Sequence, residues 1–164
     1  MPPAVTTVYL GLGSNLGPRQ DNLRRAVQML AGGGVSVRRV SSLYLTEPVG
    51  VPGGDFVNAV AEADTKLEPV ALLERCHAVE DALGRTTRGD LLPRPIDIDI
   101  LLYGSLQLQL PGLIVPHPRL HLRRFVLAPL AEIAPGVLVA GAGKTTQELL
   151  RSCSDTSRVE LVHG

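Results

Sequence analysis

The segment Pro95-Ile96-Asp97-Ile98-Asp99-Ile100-Leu101-Leu102 sets two carboxylates inside an apolar, β-branched run, although aspartate is depleted from strands. Period-two alternation places Asp97 and Asp99 on one face, about 6.6 Å apart along the strand, and turns Ile96, Ile98, Ile100 and Leu102 toward a core. Two converging carboxylates suit a hard divalent cation such as Mg²⁺, which takes one or two of them together with substrate phosphates. The alternative is a solvated strand face whose aspartates pair with arginines. Arg85, Arg88 and Arg94 lie in or beside the loop leading into this strand, and Arg119, Arg123 and Arg124 follow it. Carboxylates with arginines nearby are the arrangement phosphoryl transfer needs, because its catalysis is mostly positioning and neutralisation of negative charge.

Phe56 and Asn58, two apart on another predicted strand, share the face opposite Val57, Ala59, Ala61 and Ala63. With the small apolar row in the core, they look toward a cleft. An aromatic ring beside a carboxamide suits a flat heterocycle, the ring stacking and the amide matching donors and acceptors. The plainer alternative has Phe56 covering the core edge and Asn58 bonding backbone.

These residues need a frame. Val5 to Leu12 reads as a buried strand leaving through a glycine turn at Gly11, Gly13 and Gly17, and Leu23, Ala26, Val27 and Leu30 recur at helical spacing until Gly32-Gly33-Gly34. Val35 to Thr46 reads as one long strand with a bulge near Arg39 and Val40, Glu47 to Gly54 as a loop, and Phe56 to Thr65 as the third strand. Pro69 to Leu83 is a second helix, and Ile96 to Tyr103 is a strand whose hairpin partner is Leu106 to Leu110. A third helix spans Arg123 to Ile133, and Thr145 with Glu148 forms a capping box opening a short fourth. The order β, α, β, β, α, β, β predicts an α+β fold: a ferredoxin-like antiparallel sheet flanked by helices, three layers as α/β/α.

The chain's 164 residues suit one domain spanning 1–164, and 45% hydrophobic with 20% charged residues allow a full core. Basic and acidic side chains both number 16, so no net field draws the chain to nucleic acid or an anionic membrane, and neither is expected as a partner. No run approaches the ~20 apolar residues of a membrane span. The opening lacks a secretion pattern, and Cys76 and Cys153 match no disulfide framework or metal spacing, so a reducing cytoplasm is expected; with no obvious surplus apolar element, a monomer is expected.

Two nucleotide motifs fail. Gly141-Ala142-Gly143-Lys144-Thr145 resembles the end of a P-loop, but Leu138 stands where the pattern needs glycine. Gly11-Leu12-Gly13-Ser14-Asn15-Leu16 lacks the third glycine of a dinucleotide fingerprint, at Leu16, which disfavours an oxidoreductase. A ferredoxin-like module that binds a small molecule without chemistry is the remaining alternative, and two carboxylates facing an arginine-bearing loop weigh against it.

Five blocks taken together resemble one family in order and spacing: Gly13-Ser14-Asn15-Leu16-Gly17, Thr46-Glu47-Pro48-Val49-Gly50, Phe56-Val57-Asn58-Ala59-Val60, Pro93 to Leu101, and Pro116-His117-Pro118-Arg119-Leu120. That family is hydroxymethyl-dihydropterin pyrophosphokinase, of folate biosynthesis, and the resemblance runs from about Val8 to Pro135. It implies transfer of pyrophosphate from ATP to the hydroxymethyl oxygen of a reduced pterin, by attack at the β-phosphorus with release of AMP. It further implies that Asp97 and Asp99 hold two Mg²⁺ ions, that Arg85, Arg94 and His117 contact phosphate with Arg123 nearby, and that Glu80 and Ile100 border the nucleotide. For the pterin it implies Phe56 and Phe125 on opposite ring faces, with Asn58 and the backbone from Thr46 to Val49 reading the ring edge. Loops around Gly50 to Gly54 and Arg85 to Pro93 are expected to close over the substrates. The chain departs from the family at Leu91-Leu92, where a Trp-Gly pair is common, at Thr86-Thr87 before Arg88, at His77 in place of Gln and at Pro95 in place of Thr.

Overall fold

A computed structural model describes residues 4–49, 53–85 and 92–162. Gly50 to Pro52 and Thr86 to Leu91, which include Arg88 and most of the expected closing loops, lie outside the described residues.

Strand β1 (Thr6–Ser14) runs antiparallel to β4 (Phe56–Thr65) on one side and to β5 (Asp97–Tyr103) on the other. Helix α1 (Arg19–Leu30) links β1 to β2 (Val35–Val40) and β3 (Tyr44–Thr46), both of which pair with β4. Helix α2 (Pro69–Ala82) then crosses from β4 to β5. The main sheet reads β10-β3-β4-β1-β5 with β2 also on β4, where β10 is Val159–Leu161, and every pairing is antiparallel. This is the expected ferredoxin-like plan.

Alternation builds two cores. Val8, Leu10 and Leu12 of β1, Val57, Ala59, Ala61 and Ala63 of β4, and Ile96, Ile98 and Ile100 pack with Leu23, Ala26 and Leu30 of α1 and Leu72, Cys76 and Val79 of α2. Small alanines on β4 let the helices approach closely. On the other face Tyr9, Val60, Leu101 and Leu102 pack with Leu127, Leu130 and Ile133 of α3 (Arg124–Ile133) and Leu149 of α4 (Thr146–Ser152). Each fully buried leucine contributes roughly 1.5–3 kcal/mol, and the two faces complete the α/β/α layers. The capping box at Thr145 and Glu148 opens α4 as expected.

Four expectations need correction. Gly11 and Gly13 lie inside β1 rather than in a turn, for the strand continues to Ser14. The long strand from Val35 to Thr46 is divided at Ser41, whose hydroxyl accepts the Val60 N–H at 2.9 Å and so replaces a ladder carbonyl; the anticipated slip near Arg39 is present as a register shift between Val37 and Arg39. Leu108–Leu110 (β6) pairs with Leu113–Val115 (β7) through a turn at Gly112, not with β5. Leu102 faces the α3 core rather than that of Ile96 to Ile100, because the register slips one residue opposite Tyr9 and Leu10 and a one-residue slip turns every later side chain over. A small ribbon, β8 (Leu138–Val139) with β9 (Lys144–Thr145), accommodates the glycine turn that resembled a P-loop.

Candidate active site

The register across the sheet explains the site. Gly13 lies between Asn58 on β4 and Asp97 on β5, and Gly11 lies between Val60 and Asp99. With neighbouring strands about 4.8 Å apart, the Asn58 and Asp97 backbones stand roughly 10 Å from each other across a glycine floor. A Cβ at Gly13 would come within 2.5 Å of the Asn58 carboxamide oxygen, so the floor depends on glycine.

Asn58 is buried and donates from Nδ2 to Thr46 Oγ1 at 2.7 Å. That bond fixes the amide and leaves its oxygen facing the floor. Phe56, two residues earlier, pairs with Thr46 across the β3–β4 ladder. Opposite them the start of α3 brings in Phe125 and Val126. These residues, with Thr46, Glu47 and Val49, enclose a cavity of about 270 Å³ whose far wall is Arg94, Asp97, Asp99 and Arg123. Arg123 lies 5.5 Å over the Phe125 ring, a cation–π contact that joins the charged wall to the aromatic one.

Behind that wall a second cleft of about 420 Å³ is lined by His77, Glu80, Arg85, Ile100, Ile114 and His117, among others, and again by Arg94, Asp97, Asp99 and Arg123. The two spaces therefore meet at two carboxylates and two guanidinium groups.

A buried chain of charges sets the wall. Glu80 accepts the Ile98 N–H at 2.8 Å and Arg85 Nη1 at 2.9 Å, and the same Arg85 nitrogen donates to Asp97 Oδ1 at 2.7 Å. Arg94 reaches the other Asp97 oxygen at 3.9 Å. No hydrogen bond reaches the Asp99 side chain among the described residues; burial, then Asp97 and Glu80, push its carboxyl up to about 7, against Arg123 and Arg85. Asp99 is thus a carboxylate short of positive charge. Among the described residues no group of three or more metal-ligating side chains occurs, and Asp97 and Asp99 are the two carboxylates that line both clefts. That donor set fits Mg²⁺ completed by phosphate oxygens and water.

His117 is held neutral at ordinary pH: burial first, then Arg123, lower it to about 4 against the opposing charge of Asp97. Its Nδ1 accepts the Arg119 N–H at 3.2 Å, which places the proton on Nε2 as a donor. Burial and Arg119 also lower Arg123, which stays a guanidinium cation.

All five residues expected around the pterin, namely Thr46, Val49, Phe56, Asn58 and Phe125, line the first cavity, and Glu80, Arg85, Ile100 and His117 line the second. Arg119 and Arg124 line neither. Three further residues were not singled out from the sequence as site residues. Gly11 and Gly13 form the floor, and Asn15 clamps Arg94, accepting its N–H at 2.8 Å and donating to its carbonyl at 3.2 Å. The signal was present, since two glycines at period two within an apolar strand make one flat face.

Fold and site together define a two-substrate transferase centre in an α+β domain, with charge neutralisation concentrated where two clefts meet. The chain matches the family model "7,8-dihydro-6-hydroxymethylpterin-pyrophosphokinase (HPPK)" over residues 9–135. It belongs to that family. It is 45% identical over 160 residues, 95% of this chain and 96% of the relative, to 2-amino-4-hydroxy-6-hydroxymethyldihydropteridine pyrophosphokinase of Bacillus subtilis. It is 43% identical to the protein of the same name from Methylorubrum extorquens, covering 96% of this chain and 99% of the relative. A crystal structure of Plasmodium falciparum HPPK-DHPS has the same fold, with a TM-score of 0.74 over 91% of this chain at 13% identity; the match spans only 45% of that longer chain.

Proposed function

We infer that this chain transfers pyrophosphate from ATP to the hydroxymethyl oxygen of 6-hydroxymethyl-7,8-dihydropterin, forming the pterin pyrophosphate and AMP in folate biosynthesis. Family membership supports the reaction, and the wall of Arg94, Asp97, Asp99 and Arg123 shared by both cavities carries the assignment of parts. The pterin takes the first cavity, its ring between Phe56 and Phe125 and its edge against the Asn58 amide and the backbone around Thr46 to Val49. ATP takes the second, with Glu80 and Ile100 beside the nucleoside and Arg85, Arg94, His117 and Arg123 toward the phosphates.

In this placement the hydroxymethyl oxygen bonds to the β-phosphorus, the bond from that phosphorus to the α,β-bridging oxygen breaks, AMP leaves, and the hydroxyl proton passes to solvent. Asp97 and Asp99 would hold two Mg²⁺ ions, which when bound supply Lewis-acid neutralisation of the phosphates. Arg94 and Arg123, standing on both cavities, orient the two substrates and offset charge on the leaving phosphate. Neutral His117 donates from Nε2 without adding a cation. The Glu80–Arg85–Asp97 chain holds the wall rigid, so little reorganisation accompanies reaction.

The reading includes a monomer working in the cytoplasm. Two free cysteines, one of them fully buried, suit a reducing compartment, and among the described residues no helix is long and apolar enough to cross a membrane. The first experiment is AMP release from ATP and Mg²⁺ with and without the pterin. Pterin-dependent AMP is expected. ADP, or AMP independent of pterin, would overturn the assignment.

A further inference from the structure

The family match ends at residue 135, yet the chain beyond it folds back against β3 and the start of α3, elements that border the first cavity. Strand β10 extends the sheet beside β3, with Val159 opposite Thr46. At its start Arg158 donates its N–H to Glu47 Oε1 at 2.6 Å and accepts the Glu47 N–H at 3.3 Å. The Arg158 guanidinium also pairs with the Asp55 carboxylate. Glu47 and Asp55 are the two ends of the segment joining β3 to β4, so one residue fastens both, and Phe56 follows Asp55 directly.

Three residues earlier, Asp155 accepts the Arg124 N–H at 3.0 Å through Oδ2, while Ser157 holds Oδ1. Arg124 is the first residue of α3, and the residue before the helix supplies no side-chain cap. Asp155 therefore satisfies a free donor at the positive end of the helix. Phe125 follows Arg124. One short segment thus grips the elements that carry the aromatic residues on the two sides of the cavity, although neither Asp155 nor Arg158 lines it.

We propose that the segment from Asp155 to Leu161 is a positioning element of the pterin cavity, Asp155 setting Phe125 through the start of α3 and Arg158 setting Phe56 and Glu47 through both ends of the β3–β4 segment. It governs affinity for the reduced pterin and leaves the nucleotide cleft unchanged. This rests on the assignment of the first cavity to the pterin.

The test is steady-state AMP release by the full chain carrying Asp155→Ala, Arg158→Ala and both, varying 6-hydroxymethyl-7,8-dihydropterin and ATP in turn. The double variant is expected to raise the pterin KM about tenfold while kcat and the ATP KM stay within about twofold. Asp155→Asn, which keeps an oxygen acceptor for the helix N-terminus, should restore most of the loss in the single variant. An unchanged pterin KM, or equal rises for both substrates, would overturn the proposal. If the double variant does not fold, the same split between Asp155→Ala and Asp155→Asn decides. Wild-type chain without pterin-dependent turnover would instead remove the cavity assignment itself.

Discussion

Gly13 stands directly across the β1–β4 ladder from Asn58, and a methyl group at position 13 would press to 2.5 Å from the carboxamide oxygen and 3.4 Å from the Phe56 ring. The glycine is there for the space above it, not for a turn.

Gly13→Ala should therefore displace Asn58 from Thr46 and block the ring-binding floor. We expect the pterin Kd to rise at least ~30-fold, about 2 kcal/mol, with ATP binding little changed. Calorimetric titration with each substrate separately checks it, and equal losses for both would mean the floor does not belong to the pterin.

How far such a site can be read from sequence depends on whether its contacts are local. The facing of Asp97 with Asp99, and of Phe56 with Asn58, follows from period-two alternation, which needs no knowledge of neighbours. The sequence pattern of Gly11 and Gly13 suits a turn and a flat strand face alike; only pairing with both β4 and β5 separates the cases. Ser41 divides a continuous apolar pattern by using its hydroxyl in the ladder, which periodicity does not register. Leu102 changes sides through a bulge set by β1, ninety residues earlier in sequence. Val159 to Leu161 is too short to show alternation, and its meaning lies in its distant partner, β3.

The two carboxylates proposed to hold Mg²⁺ should respond oppositely to neutralisation. Asp97 accepts from Arg85, so Asp97→Asn loses a charge-assisted bond and about 1–2 kcal/mol. Asp99 has a folded pKa near 7, above its ordinary 3.8, so ionising it penalises the folded state. The penalty is absent below the ordinary value, grows through the interval and is complete above pH 7. Asp99→Asn should then melt higher than wild type in metal-free buffer at pH 8, and the difference should vanish near pH 4. Both variants should lose turnover by at least ~100-fold. Mg²⁺ should raise the wild-type melting temperature and leave Asp99→Asn nearly unmoved. Melting curves across pH with and without Mg²⁺ test this, and a destabilised Asp99→Asn at pH 8 would contradict it.

Asn15 touches no assigned substrate position, yet holds the Arg94 main chain by two bonds. Asn15→Ala removes the side-chain one and frees the arginine's backbone at the junction of the clefts. If Arg94 acts as proposed on charge that develops during transfer, kcat should fall about tenfold with substrate KM values nearly constant. Asn15→Asp retains the acceptor and should recover most of the rate. Failure of that rescue would assign the loss to packing.

The Glu80–Arg85 pair is buried on both sides, with 2% and 6% of the side chains exposed. Removing one partner of such a pair strands the other charge at about 3–5 kcal/mol, so Arg85→Met should be severely destabilised in urea titration. Glu80→Gln in that background removes the stranded charge while its amide oxygen still accepts the Ile98 N–H. The double variant should therefore be more stable than Arg85→Met alone by about 2 kcal/mol. It should nonetheless stay inactive, since Asp97 has lost the guanidinium that holds it. A double variant no more stable than the single would show that Arg85 acts by packing and not by charge.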